Sequence, residues 1–133
     1  MVQKAQAILN ALDSPDAELS IVIVDDVYIA ALNKQYLNRS GPTNVIAFPM
    51  RAGDYSDIMP HLLGDVVISA ETARQEANAS GIRFNLRLSE LMVHGVLHLF
   101  GYDHEKSDKE SHRMQLKSDE LLGIIEGLDY GES

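Results

Sequence analysis

The stretch from Leu91 to Phe100 constrains the fold most strongly, because apolar residues occupy almost every position of it. A helix that is hydrophobic all round is buried inside a protein rather than lying on its surface. The sequence therefore predicts a helix that begins between Asn85 and Ser89, ends at Phe100 and lies at the centre of the fold. Polar side chains on this helix are then carried by a rigid, well-packed element.

Two of the polar residues in this stretch are His94 and His98. Because four residues make slightly more than one helical turn, both imidazoles project from the same face of the helix. Gly101 can adopt a positive φ and end the helix, so that the chain turns back and brings His104 towards the first two histidines. Three neutral imidazoles around one point, with one position left open, form a typical catalytic zinc site.

This metal site has to be weighed against a purely structural role for the histidines. A single histidine on an apolar helix is more often a core residue than a ligand, and a pair changes that only modestly. The third histidine changes the balance, because burying two imidazoles without partners costs about 1–3 kcal/mol each and a metal supplies the partner. The spacing predicts one Zn²⁺ per chain at His94, His98 and His104, although nickel, copper or iron suit the same nitrogens.

The spacing of the histidines is that of the metzincin proteases, except that Gly95 stands where those enzymes place a glutamate general base. A glycine inside a helix costs about 1 kcal/mol relative to alanine, so a reason for its presence is expected. One explanation is close packing of the helix at this point. The other is a requirement of the site, since a missing side chain leaves room beside the metal for a large anionic substrate.

Composition bounds the remaining possibilities. The chain has 133 residues, no cysteine and a net charge of −9, from 11 basic and 20 acidic residues. We expect one domain, 1–133, in which any metal is held by His, Asp or Glu. The negative charge argues against a non-specific nucleic-acid coat protein. The first residues lack the apolar run of a signal peptide and no stretch is long enough to span a membrane, so a cytoplasmic protein is expected.

Hydrophobic periodicity and turn residues predict elements in the order α-β-α-β-β-α-α-α. This order indicates the α+β class: a small mixed sheet of three to four strands packed with helices, with the buried histidine helix at its centre. The apolar run from Leu19 to Val24 predicts a strand covered on both faces. Residues 50–63 are expected to form a long surface loop. Expected helix caps are Asp25 or Asp26, Ser69, and a capping box that opens at Ser107.

Two acidic residues flank the third histidine. Asp103 and Glu105 are candidates to orient its imidazole through the second ring nitrogen, or to transfer a proton during catalysis. For Glu105, exposure to solvent without a role explains the residue equally well. His61 and His112 lack the spacing of the other three histidines and are interpreted as surface residues.

With these residues in place, the sequence resembles the YbeY family of bacterial rRNA maturation factors. The histidine stretch from His94 to His104 looks like the signature of that family. Three upstream blocks also match in order, and the likeness covers roughly residues 18 to 125. The matching blocks are Leu32-Asn33-Lys34-Gln35-Tyr36, Pro42-Thr43-Asn44-Val45-Ile46-Ala47-Phe48-Pro49 and Leu63-Gly64-Asp65-Val66-Val67-Ile68-Ser69.

The resemblance implies a metal-dependent endoribonuclease, specific for single strands, that acts in rRNA maturation and ribosome quality control. Processing of the 3′ end of 16S rRNA is included in that role. The resemblance also implies zinc at His94, His98 and His104, and partners that comprise ribosomal RNA, the ribosome and a small-subunit ribosomal protein. No membrane is implied.

Two departures from the family pattern affect these expectations. The family usually has an arginine directly after Tyr36, where this chain has Leu37. Arg39 lies two residues further on and is the expected substitute for the phosphate contact. We therefore take Arg39 and Asp103 as the candidate catalytic residues. Family members also often begin with an extra strand that is not found before Gln3, so the sheet is expected to be one strand smaller.

Phosphodiester hydrolysis explains the absence of a glutamate at position 95 better than proteolysis does. RNA carries its own nucleophile, the 2′-hydroxyl, and zinc can instead activate a water molecule by lowering its pKa towards about 7. Two other functions stay open. The chain could be a zinc peptidase or another small metallohydrolase, if a replacement carboxylate lies near the metal. It could also be a non-catalytic, metal-stabilised ribosome assembly factor.

Overall fold

A computed structural model describes residues 2–50, 62–103 and 105–131 of the chain. Within these ranges the elements follow the predicted order, and the α+β class is confirmed. The sheet has three strands, which is the smaller of the two strand numbers expected. The elements are α1 (Val2–Ala11), β1 (Glu18–Val24), α2 (Asp26–Leu37), β2 (Val45–Pro49), β3 (Leu62–Ser69), α3 (Ala70–Ser80), α4 (Phe84–Leu99) and α5 (Asp108–Gly131).

The sheet is mixed and has the strand order β1-β3-β2. β1 runs parallel to β3, with Val24 opposite Ser69, and β2 runs antiparallel to β3, with Val45 opposite Ile68. β3 is therefore the central strand, and its Val66 and Ile68 pack into the main core. On the opposite face Val67 packs with residues of α2 and β2. The sheet is thus covered by helices on both faces.

The prediction that the first strand is covered on both faces is wrong. β1 lies at the edge of the sheet, and its burial alternates along most of its length. Leu19 and Ile21 pack against the main core, whereas Val22 and Ile23 are 41 and 42% exposed. A β-branched apolar run gives the strand propensity, but the strand order decides which strand is central, and β3 takes that position.

The third strand is longer than predicted, so the loop expected over residues 50–63 is shorter than predicted. β3 begins at Leu62, and the Met50 N–H donates to the Leu63 carbonyl, 3.1 Å away. The reason lies at Gly64, where φ is +145° and a Cβ would lie 2.4 Å from the Phe48 carbonyl oxygen. Only glycine permits β2 and β3 to approach so closely there. The rest of the expected loop, residues 51–61 including His61, lies outside the described residues.

The expected helix caps are present, and the choice between Asp25 and Asp26 is settled. The Asp25 carboxylate accepts from the Tyr28 N–H at 2.8 Å and caps α2. Asp26 instead accepts hydrogen bonds from the Ser69 and Thr72 hydroxyls, which lower the pKa of its carboxyl. Asp26 therefore ties the start of α2 to the end of β3. The remaining two predicted caps, Ser69 on α3 and Ser107 on α5, also accept from the expected backbone N–H groups.

α4 is the central helix, as predicted. Its second half is buried on nearly every side, and it packs against β2, β3, α3 and α5. The helix ends at a glycine turn in which Gly101 has φ +93°. There the Gly101 N–H donates to the His98 carbonyl and the Tyr102 N–H to the Leu97 carbonyl, both at 3.0 Å. This pair of bonds is a Schellman motif, and it confirms the predicted role of Gly101.

Gly95 lies where α4 comes closest to the sheet. A Cβ at this position would lie 2.6 Å from Cγ1 of Val66 and 3.3 Å from Cγ2 of Val45. Val66 is completely buried and its β-branched side chain is stiff, so it cannot move aside cheaply. The packing explanation of Gly95 is therefore the one that the structure supports. None of the helices within the described ranges is long and apolar enough to cross a membrane.

Gly95→Ala is expected to destabilise the protein by about 1–3 kcal/mol, because overpacking at Val66 exceeds the gain in helix propensity of about 1 kcal/mol. Gly123→Ala is the matched control, since a Cβ at this exposed position in α5 meets nothing within 4 Å. The control is expected to stabilise by about 0.5–1 kcal/mol. Urea unfolding of both variants measures the difference, and a stabilised Gly95→Ala protein would contradict the packing account.

Candidate active site

The two histidines of α4 lie side by side, as their spacing predicts. Their Nε2 atoms are 3.0 Å apart, and their ring centroids are 4.6 Å apart with the rings inclined at 77°. Both side chains are half-buried within the buried second half of the helix.

The geometry of this pair fits two ligands of one metal ion. Nitrogens held about 2.0–2.1 Å from a tetrahedral zinc ion lie about 3.3–3.4 Å apart, which is close to the 3.0 Å between His94 and His98. The predicted third ligand, His104, lies outside the described residues. Within residues 2–50, 62–103 and 105–131, no group of three His, Cys, Asp or Glu side chains could hold a metal. The three-histidine centre therefore stays a prediction, with two of its ligands in place.

A cleft of about 420 Å³ surrounds the pair and brings the candidate catalytic residues together. We call it the Arg39 cleft. Its walls come from the end of α2 and the segment after it, from β2, from α4 and from the turn that follows α4. It is lined by Leu37, Arg39, Val45, Ile46, Ala47, Pro49, His94, Gly95, His98, Asp103 and Glu105.

Asp103 is tied to the backbone of Glu105. Its Oδ1 accepts from the Glu105 N–H at 2.9 Å. Both carboxylates line the Arg39 cleft, although Glu105 is largely exposed. The structure therefore assigns Asp103 a conformational task. The predicted roles in orienting an imidazole or transferring a proton stay predictions.

Asn33 holds the segment that carries Arg39, and the sequence reasoning missed it. The Asn33 carbonyl accepts from the N–H groups of Asn38 and Arg39, the latter at 3.2 Å. Its side-chain amide donates to the Gly41 carbonyl at 2.9 Å. Asn33 is only 5% exposed, and its Oδ1 is the one buried side-chain polar atom of the described residues without a hydrogen-bond partner. The sequence signal that could have identified Asn33 is its position as a polar residue on the buried side of α2.

A second cleft, of about 280 Å³, adjoins the first and shares His94 and Val45 with it. We call it the Arg87 cleft. Arg87 lies between two carboxylates, 3.0 Å from Glu76 and 2.9 Å from Glu90. Partial burial works against its charged form, but the hydrogen bonds to Glu90 and Glu76 outweigh burial and raise the pKa of the guanidinium. The lining residues are Asn44, Val45, Arg87, Glu90, Leu91, His94, Gln115, Ser118, Asp119 and Leu122.

His112, the remaining described histidine, lies exposed on α5 and lines neither cleft, which agrees with its interpretation as a surface residue.

The fold is similar to that of a solved structure. The solution structure of TM1509 from Thermotoga maritima superposes with a TM-score of 0.72 at 26% sequence identity. The match covers 98% of this chain and 82% of that one. The arrangement of helices around a small mixed sheet is therefore shared with an experimentally determined protein.

Sequence comparison defines the class as a family of endoribonucleases. The family model described as Endoribonuclease YbeY matches residues 1–126, which is more of the chain than the sequence motifs cover. A protein named Endoribonuclease YbeY from Geobacter sulfurreducens is 50% identical over 123 residues, which are 92% of this chain and 82% of that protein. Its namesake from Syntrophus aciditrophicus is 39% identical over 131 residues, covering 96 and 82%. The chain belongs to the YbeY family, and the predicted family is confirmed.

Asn33→Ala is expected to lower the free energy of unfolding by about 1–3 kcal/mol, because it removes a hydrogen bond from a buried position. Asn85→Ala, at an exposed site in the first turn of α4, is the matched control and is expected to change stability by less than about 0.5 kcal/mol. Denaturant unfolding of the two variants provides the comparison. Equal stabilities would show that Asn33 does not hold the Arg39 segment.

Proposed function

We propose that this chain is a zinc-dependent endoribonuclease, specific for single-stranded RNA, that acts in ribosomal RNA maturation and ribosome quality control. Membership of the YbeY family supports endoribonuclease activity and a role in rRNA processing. The structural observation that carries the metal-dependent part is the pair His94 and His98, with Nε2 atoms 3.0 Å apart at the wall of the Arg39 cleft. Processing of the 3′ end of 16S rRNA is included in the proposal.

The proposed zinc is held by His94, His98 and His104 and supplies Lewis acidity towards a phosphoryl oxygen or a water molecule. The residues of the chain supply the rest. The Arg39 guanidinium binds a phosphate oxygen of the substrate, because a planar cation matches that group. Asp103 lies on the cleft wall, where its carboxylate can accept a proton from the attacking hydroxyl.

The attacking group is either the RNA 2′-hydroxyl or water, and the two give different products. Attack by the 2′-hydroxyl leaves a 2′,3′-cyclic phosphate, whereas attack by water leaves a plain 3′-hydroxyl or a linear phosphate. In both cases the cleft needs no glutamate next to His94. Position 95 has no room for one, since even a Cβ there would lie 2.6 Å from Val66. This observation weighs against the zinc peptidase alternative in its usual form.

The proposed partners follow from the substrate. Ribosomal RNA is the expected substrate, and the ribosome together with a small-subunit ribosomal protein is the expected assembly. A cytoplasmic location is part of the proposal, because bacterial ribosomes are matured there. Since the chain carries a net charge of −9, binding is expected to depend on local contacts in the clefts rather than on the overall field.

His98→Ala is expected to abolish both zinc binding and RNA cleavage, because the two remaining imidazoles bind zinc too weakly to keep it at the protein concentration of an activity assay. His112→Ala, at an exposed position, is the matched control and should keep about one zinc per chain and full activity. Metal content is measured by mass spectrometry, and cleavage is followed on a structured rRNA fragment before and after chelation. Cleavage by zinc-free His98→Ala protein would contradict the mechanism. Normal rRNA maturation in cells with folded, inactive His98→Ala would favour the assembly-factor alternative.

Arg39→Ala is expected to weaken RNA binding by about tenfold, because one phosphate contact is lost. The slope of log affinity against log salt concentration is expected to decrease in magnitude by about 0.7, which is the value for one phosphate contact to a single strand. Arg83→Ala is the control, because Arg83 is exposed and lines neither cleft. Binding is titrated at several salt concentrations. An unchanged slope would show that Arg39 does not contact phosphate.

A further inference from the structure

The Arg87 cleft opens beside the histidine pair and has no part in the mechanism proposed above. It shares His94 and Val45 with the Arg39 cleft, so a ligand that spans both clefts passes the histidines. If a scissile phosphate lies at His94 and His98, a neighbouring nucleotide of the same strand comes to the Arg87 cleft. A volume of about 280 Å³ suits one small ring system rather than a folded partner.

The charges of this cleft disfavour phosphate. Among the described residues that line it, Arg87 is the only basic one apart from His94, and two carboxylates at 2.9 and 3.0 Å already engage its guanidinium. Asp119 adds a further negative charge to the lining. A metal is also disfavoured, because the described part of the chain has no group of three ligating side chains here. The cleft is therefore suited to a neutral, polar group.

The hydrogen-bonding groups on the walls are mainly acceptors. The Asn44 amide nitrogen is engaged by both Glu76 carboxylate oxygens, at 3.3 and 3.2 Å. The Gln115 amide nitrogen donates to Asp119 at 2.9 Å. The two amides thus offer a ligand mainly their carbonyl oxygens, next to the carboxylates of Glu90 and Asp119, while the Ser118 hydroxyl can donate or accept. Such a lining recognises N–H donors, and a carboxylate accepting from the exocyclic amine of cytosine is an established pairing.

We propose that the Arg87 cleft is a subsite for one nucleobase that carries an exocyclic amino group, next to the cleaved phosphodiester. The cleft selects such bases over uracil, because an exocyclic amine presents two N–H donors to these acceptors, whereas uracil presents one ring N–H between two carbonyl oxygens. Sequence-specific recognition of RNA uses splayed, single-stranded bases of this kind. The inference rests on the proposed function, because RNA cleavage at the histidines is what places a base in the cleft.

The test is a binding measurement that does not depend on catalysis. Fluorescein-labelled 2′-O-methyl tetranucleotides of cytidine and of uridine are titrated with the zinc-loaded protein, and mass spectrometry checks that they stay intact. We expect the cytidine tetramer to bind at least about fivefold more tightly than the uridine tetramer. Asp119→Asn should reduce this preference to about twofold or less, because it removes an acceptor of the exocyclic amine. Gln115→Ala should reduce it in the same direction.

Glu120→Gln is the matched control, because it removes the same charge from the adjacent residue of α5, which pairs with Lys117 and lines neither cleft. It should leave the preference intact. Asp119, Gln115 and Glu120 are all exposed, so the three variants are expected to fold. Equal affinities for the two tetramers, a preference that survives Asp119→Asn, or no binding of either tetramer would overturn the subsite.

The same experiment separates this inference from the proposed function. Selective binding of the cytidine tetramer without any cleavage of natural RNA would support the subsite and contradict endoribonuclease activity. Cleavage of natural RNA by a protein that shows no base preference would support the activity and contradict the subsite.

Discussion

The close contact between α4 and the sheet at Gly95 is the constraint on which the rest of the structure depends. Because Gly95 has no side chain, the helix backbone rests against Val66 of the central strand. This contact buries α4 and fixes its rotation about its own axis. With the rotation fixed, His94 and His98 face the Arg39 cleft together, and their separation is set by the helix rather than by a flexible loop. A glycine that interrupts a protease-like motif is thus part of the packing that positions the two histidines.

The other side of the Arg39 cleft is built from irregular segments that local hydrogen bonds hold in place. Asn33 accepts and donates bonds that fix the segment after α2, and Asp103 is tied to the backbone of Glu105. A rigid helix therefore carries two of the three predicted metal ligands, while short tied segments carry the groups predicted to meet the substrate. This division suits hydrolysis of a polymer, since the metal must stay fixed and the strand must enter and leave.

The sequence predicted the features that depend on local spacing. Histidines four residues apart share a helix face whatever surrounds them, and Gly101 ends a helix through its own φ. The features that depend on distant partners escaped prediction. The edge position of β1 follows from the strand order, and the apolar run from Leu19 to Val24 suits a central strand equally well. Likewise, nothing in the spacing of Glu76 and Arg87 shows that a helix–helix contact joins them. The family resemblance supplied the function, since three histidines alone fit several hydrolases.

The most direct test of the account is the zinc coordination shell, measured by X-ray absorption at the zinc edge on purified protein. Three imidazole nitrogens at about 2.0–2.1 Å, with the remaining position filled by a light atom, are the predicted result. His98→Ala protein, which is expected to lose its zinc, should not show the three-imidazole spectrum even after zinc is added back. A shell of oxygen ligands without imidazole scattering, or an identical spectrum after the substitution, would contradict the assignment of His94, His98 and His104 as the metal centre.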